Sequence, residues 1–177
     1  MKPDSSLAEL ENQFDELYAA LIKYFRLRGF DEPAAADLTA EVFERSLLAK
    51  NGFDPQKASL KTWLFAIAHN MAVNRWKSHA DRKFVSLEEG EDLPARECLP
   101  EDRVVKKEDY HELLQGLQGL DDKEREVISL KFSAHLNNRQ IAALMGLSPS
   151  NVGIILYRSL RQVRARMSQG QSEESHE

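Results

Sequence analysis

The chain has one cysteine, Cys98, in 177 residues. Neither an internal disulfide nor a thiolate-rich zinc site can form, and the acidic stretch around Cys98 disfavours a thiolate nucleophile. No run of about 18 apolar residues occurs, which excludes a membrane-spanning helix and any membrane insertion, and the mean hydropathy is -0.51. The start, with Asp4, Glu9 and Glu11 soon after Met1, lacks the basic and apolar regions of a signal peptide, so a cytoplasmic location is expected. The histidines at 69, 79, 111, 135 and 176 lack metal-ligand spacing, and no phosphate loop, nucleophile elbow or carboxylate pair stands out. No catalysis, metal, cofactor or small-molecule substrate is expected. Two-residue apolar alternation is also missing, so the expected fold is all-α.

What the chain does have is charge in blocks. The formal net charge is -5, the wrong sign for a nucleic-acid binder until it is divided along the chain. Residues 61–83 carry five basic side chains and one acidic, and residues 137–167 carry five arginines and no acid. Local clustering of this kind governs phosphate contact more than overall pI does.

Helical periodicity runs through both halves. Leu10, Phe14, Leu17, Tyr18, Leu21 and Phe25 form one apolar stripe, expected to be core, that Gly29 ends. Asp31 and Pro33 start a second helix with Leu38, Val42 and Leu47 inward and Asp37, Glu41 and Glu44 outward. Ser59 caps a third. In it Leu60, Leu64, Ile67, Ala68 and Met71 fall on one side, with Phe65, His69, Val73 and Trp76 nearly opposite. That second face is rich in rings and flanked by Lys61, Arg75, Lys77, Arg82 and Lys83, a mixture suited to single-stranded nucleic acid.

From Phe84 to Asp109 the periodicity fades into an acidic, extended linker. It resumes at Tyr110 with Leu113, Leu114, Leu117 and Leu120. Asp121 or Asp122 caps the next helix, and Asn137 or Asn138 caps Arg139 to Met145. Gly146 turns the chain, and Ser148-Pro149 starts the last helix. Two short helices joined by a glycine turn, the second running into basic sequence, predict a helix-turn-helix. On its last helix Val152, Ile155, Leu156, Leu160 and Val163 are expected inward. Ser150, Asn151, Gly153 and Ile154 are expected toward base edges, and Tyr157, Arg158, Arg161 and Arg164 face outward further along. The expected organisation is two small helical domains, 1–83 and 110–167, an acidic linker 84–109, and a disordered acidic tail 168–177.

Ala36 to Phe43, Trp63 to Asn70, Leu120 to Val127 and Ile141 to Ser148 together resemble the bacterial RNA polymerase sigma factors of the extracytoplasmic-function type. The resemblance implies a dissociable polymerase subunit that recognises promoters and initiates transcription. By this likeness Asp37, Leu38, Glu41 and Phe43 dock on the clamp of the polymerase core. Lys61, Arg75 and Lys77 hold phosphates of the minus-ten promoter element, Trp63, Phe65 or Trp76 stacks its bases, and Asn70 bonds an extruded base edge. The loop Phe53 to Ala58 forms the pocket for that base. Arg139, Ser150, Asn151, Ile154, Tyr157, Arg158 and Arg161 meet the minus-thirty-five element, and the second domain binds the polymerase flap. An anti-sigma factor is an implied partner. The chain departs from the family at Asn74, at Lys77-Ser78 and at Gly153-Ile154-Ile155; the last lacks the usual donors, which moves promoter discrimination toward 59–83. A competing reading is a helix-turn-helix regulator that acts without being a polymerase subunit.

Overall fold

The computed structural model describes residues 5–78, 110 and 113–174, and the side chains of 5–12, 76–78 and 169–174 are left undescribed. The expected linker at 84–109 lies outside the described residues, as do Arg82 and Lys83. Among the described residues every regular element is a helix. They are α1 (Ser5–Leu27), α2 (Glu32–Leu48), α3 (Leu60–Ser78), α4 (Asp122–Ser133), α5 (Asn138–Met145) and α6 (Pro149–Glu174). A 3-10 turn at Lys50–Gly52 and a helical turn at 113–117 complete them. The helix α6 runs on through Glu174, into the segment expected as a disordered tail.

Local chemistry places the helix ends. Gly29, at φ 96°, closes α1. The Asp31 carboxylate accepts from the Ala34 amide at 2.8 Å and starts α2, and Ser59 Oγ accepts from the Thr62 amide at 3.2 Å to start α3. Asp121 and Glu124 form a reciprocal capping box on α4, as Asn137 and Gln140 do on α5. Each such cap is worth about 1 kcal/mol.

The helices α1, α2 and α3 pack on one another, as do α4, α5 and α6, and the two groups meet through α1 with α4 and α3 with α5. Leu17, Leu21, Tyr24, Phe25, Val42, Leu64 and Phe65 are fully buried in the first group, and Leu117, Val127, Leu130, Ile141 and Val152 in the second. Four apolar positions depart from the expected pattern. Leu47 is 46% exposed, Leu160 is 41% exposed, and Phe14 is 42% exposed with Tyr18 beside it. Leu160 is displaced because α6 turns the small Ser159, fully buried, toward its neighbours. Phe14 and Tyr18 instead join Phe43 in a ring cluster at the α1–α2 surface, with centroids 4.7 Å and 6.3 Å from it.

Polar groups cross between the two helix groups at a buried point. Glu126 of α4 is 2% exposed and takes the Tyr24 hydroxyl at 2.7 Å. Arg28 Nε lies 2.7 Å from its other oxygen, close enough for an ion pair although the N–H is not aligned as a hydrogen bond. Arg28 also donates to the Asp122 carbonyl at 2.8 Å. Burial, followed by the Glu126 charge, raises the Tyr24 pKa well above the usual phenol value, because both disfavour phenolate.

Two checks follow. Gly146 sits at φ 66° with open space where a Cβ would stand, so Gly146→Ala suffers only the left-handed backbone cost of about 1–2 kcal/mol. Gly153 lies inside α6, where an added methyl meets only the Asn138 amide at 3.5 Å, so Gly153→Ala stabilises by about 0.5–1 kcal/mol. Thermal denaturation should move the two melting temperatures in opposite directions. In a 295 nm alkaline titration, Tyr24 ionises late, and Tyr24→Phe removes that late phase. Its raised folded pKa contributes stability present below the unfolded phenol pKa and lost as pH rises through the folded one, so alkali above about pH 10 weakens the native packing.

Candidate nucleic-acid interface

The helix α3 has little amphipathic bias because it is covered on two sides. Leu60, Leu64, Ala68 and Met71 are buried as expected, but Phe65 is 0% exposed as well. Its ring meets Tyr24 edge to face at 5.6 Å. Phe65 is thus a core residue, which corrects its expected place on the stacking face; an aromatic ring packed on all sides has no free π-face to offer. What remains open along α3 is a narrower strip. Trp63 is half-buried with its ring 5.1 Å from Phe53, at the end of the preceding loop. Asn70, Asn74 and Arg75 are exposed further along. Trp76 and Lys77 fall within α3, but their side chains are among those left undescribed.

Two other side chains of this helix are engaged. Lys61 Nζ lies 2.8 Å from the Glu16 carboxylate, which holds the Glu16 pKa below its usual value; such a surface pair exchanges readily with water or phosphate. His69 Nδ1 lies 2.8 Å from Glu126 Oε1, and since a carboxylate only accepts, the imidazole donates. The loop Phe53 to Ala58 is shaped by Asp54, whose carboxylate accepts from the Gln56 amide and faces Lys57 at 3.6 Å.

The expected clamp-docking residues divide by depth. Asp37 is exposed and Glu41 partly so, the latter paired with Arg45 one turn on. Leu38 is 2% exposed and belongs to the core, which corrects its assignment as a contact residue. Phe43 is 8% exposed, whereas Phe14, Tyr18 and Leu47 are 42%, 37% and 46% exposed. Sequence periodicity had assigned those three to the interior, and nothing in spacing alone distinguishes a buried ring from one at the rim.

In the second half, α5 and α6 form the helix-turn-helix through left-handed Gly146. The Ser148 hydroxyl accepts from the Asn151 amide at 3.1 Å and caps α6. Ser150, Arg158 and Arg161 are exposed, Ile154 and Tyr157 are 50% and 65% exposed, and Asn151 is half-covered. Arg161 stands 5.8 Å from the centre of the Tyr157 ring, within cation–π range. Arg139, at the start of α5, is exposed. Gly153 is partly covered, and a Cβ there would stand 3.5 Å from the Asn138 amide nitrogen of α5. With no acid between Arg139 and Arg166, this surface suits phosphate.

Comparison with known proteins matches two successive stretches of the chain. Residues 14–82 match the model of sigma-70 region 2, and residues 110–163 match sigma-70 region 4. The chain is 26% identical over 175 residues to the RNA polymerase sigma factor YlaC of Bacillus subtilis, covering 98% of this chain and 99% of YlaC. It is 28% identical over 148 residues to the ECF RNA polymerase sigma factor BldN of Streptomyces coelicolor, covering 84% of this chain but only 56% of BldN's length. Its fold is similar to that of the sigma factor RpoE of Bartonella quintana, solved in complex with the anti-sigma factor NepR, with a TM-score of 0.68 at 18% identity over 90% of this chain and 97% of that one. With both halves matched in order, the chain belongs to the sigma-70 family and is a sigma factor of the extracytoplasmic-function type.

Proposed function

We propose that this sigma subunit docks on the polymerase clamp through Asp37, Glu41 and the Phe14–Tyr18–Phe43 ring cluster, and opens the minus-ten element along the exposed strip of α3. The observation that carries this is that Trp63 and Asn70, on one face of α3, are half-buried and exposed respectively, with the Phe53 ring against Trp63 and Arg75 exposed near the end of the helix, after a helix with acidic residues outward. Trp63 supplies a stacking face worth about 1–3 kcal/mol per base. Asn70 supplies both a donor and an acceptor for an extruded base edge, with the Phe53 to Ala58 loop beside it. Arg75 and Lys77 hold phosphates, and Lys61 joins them by exchanging Glu16 for the strand. At the minus-thirty-five element Ser150, Asn151 and Ile154 approach base edges while Arg139, Tyr157, Arg158 and Arg161 clamp the backbone. Partners of this chain on this reading are the polymerase core, at clamp and flap, promoter DNA, and an anti-sigma factor like the one bound to the Bartonella protein. It carries out no catalysis of its own. The freely acting regulator has less support, since sigma-70 region 2 matches the half that such a protein would not need.

Transcription reconstituted with purified core polymerase tests the reading. Asp37→Arg and Phe14→Ala should each weaken core binding by about tenfold, the range of a rim charge reversal or an exposed apolar truncation. Unchanged core affinity in both removes the clamp assignment. Asn70→Ala and Lys77→Ala should instead leave core binding unchanged and lower promoter opening, read by permanganate reactivity of the melted strand, by about fivefold or more. Equal losses in both readouts contradict that division of labour.

A further inference from the structure

The Glu126 carboxylate has its three side-chain partners, Tyr24, Arg28 and His69, all in the region 2 half. Among the described residues none of its side-chain partners belongs to its own half, so its charge is compensated from region 2. Around this centre Arg125 reaches the Arg28 carbonyl at 3.5 Å, and Arg28 reaches back to the Asp122 carbonyl. At the rim, Gln140 of α5 uses its amide nitrogen to donate to Thr62 Oγ1 at 3.2 Å, while its oxygen completes the α5 capping box.

We propose that Glu126 is an intramolecular latch that holds region 4 against region 2 and keeps the free protein in a closed form that cannot engage a promoter. Two arguments support this. The first is reach. By their names the two promoter elements lie roughly 25 base pairs apart, about 85 Å of duplex at 3.4 Å per pair. A compact chain of 177 residues has a radius of gyration of about 16 Å and is only about 40 Å across. The halves must part before both elements can be read by one molecule. The second is occupancy. Thr62 and His69 belong to α3, the proposed opening helix, and the closed form ties both to region 4, so region 4 lies along the flank of the surface that the open strand would use and crowds its approach.

The chemistry makes the contact reversible. A buried ion pair gains little over its separated, hydrated ions, but removing one partner strands the other charge in the interior. Opening hydrates Glu126 and Arg28 together and strands neither. Truncating one of them disfavours the closed form alone, since in the open form both side chains face water. The occluding consequence rests on the promoter reading above; the latch itself is tested without DNA.

The full chain is measured by small-angle X-ray scattering as wild type, Glu126→Ala and Arg28→Ala, with circular dichroism for helix content. The wild type should be compact, near about 16 Å. Both variants should keep their helix content and expand above about 20 Å, the value for two halves of about 12 Å each that have separated. Variants that stay as compact as the wild type overturn the latch. Loss of helix in both also overturns it, because the carboxylate would then be part of one indivisible core. If the closed form holds nine-tenths of the wild-type molecules, opening should raise the affinity of Glu126→Ala for a fluorescent single-stranded oligonucleotide about tenfold. Expansion without that rise would uphold the latch and remove the occlusion.

Discussion

A carboxylate with almost no exposure needs compensation from every side, and the way Glu126 obtains it determines how the two halves sit. Its partners come from α1, from Arg28 just after it and from α3, so satisfying the charge requires α4 to lie across both helices. Tyr24 is drawn fully into the interior as a result and presents its ring to Phe65. The same demand gives α3 a second covered side. An uncompensated charge in that position costs several kcal/mol, more than any single cap or surface pair in the molecule contributes.

The helix α3 therefore has three tasks along one surface. Leu60, Leu64, Ala68 and Met71 hold it to α1 and α2, Phe65 and His69 meet the region that also receives α4, and Trp63 is left half-open with Asn70 and Arg75 exposed. On the proposed reading α3 opens the duplex and has to be held firmly itself, because stacking and base-edge contacts offset unstacking only when their donors and rings are already in position. Burial of two sides supplies that rigidity. Its cost is that fewer rings remain for DNA than the periodicity suggests.

The helix-turn-helix half shows the opposite balance, with a face defined almost wholly by local signals. Asn137 and Gln140 cap α5, Gly146 takes the left-handed turn and Ser148-Pro149 opens α6. The outward face of α6 then follows from counting residues along a regular helix. Exposed arginines with no competing acid make the phosphate-facing role a property of composition as much as of fold.

Helix number, their ends and the two basic islands were readable from residue order, since caps, glycine turns and charge blocks act within a few positions of themselves. Of two possible caps at each site, only geometry chose Asp121 over Asp122 and Asn137 over Asn138. The sequence also allowed Phe65 to be either core or stacking ring, Leu38 either core or contact, and Phe14 and Tyr18 either interior or rim. Those choices depend on which helix lies opposite: α2, through Phe43, for Phe14 and Tyr18, and α1, through Tyr24, for Phe65. A lone acid between Arg125 and Val127 looks like ordinary surface charge in the chain. Only the packing of α4 on α1 and α3 makes it the point where the halves join, because desolvation is a property of the whole neighbourhood and of no residue by itself.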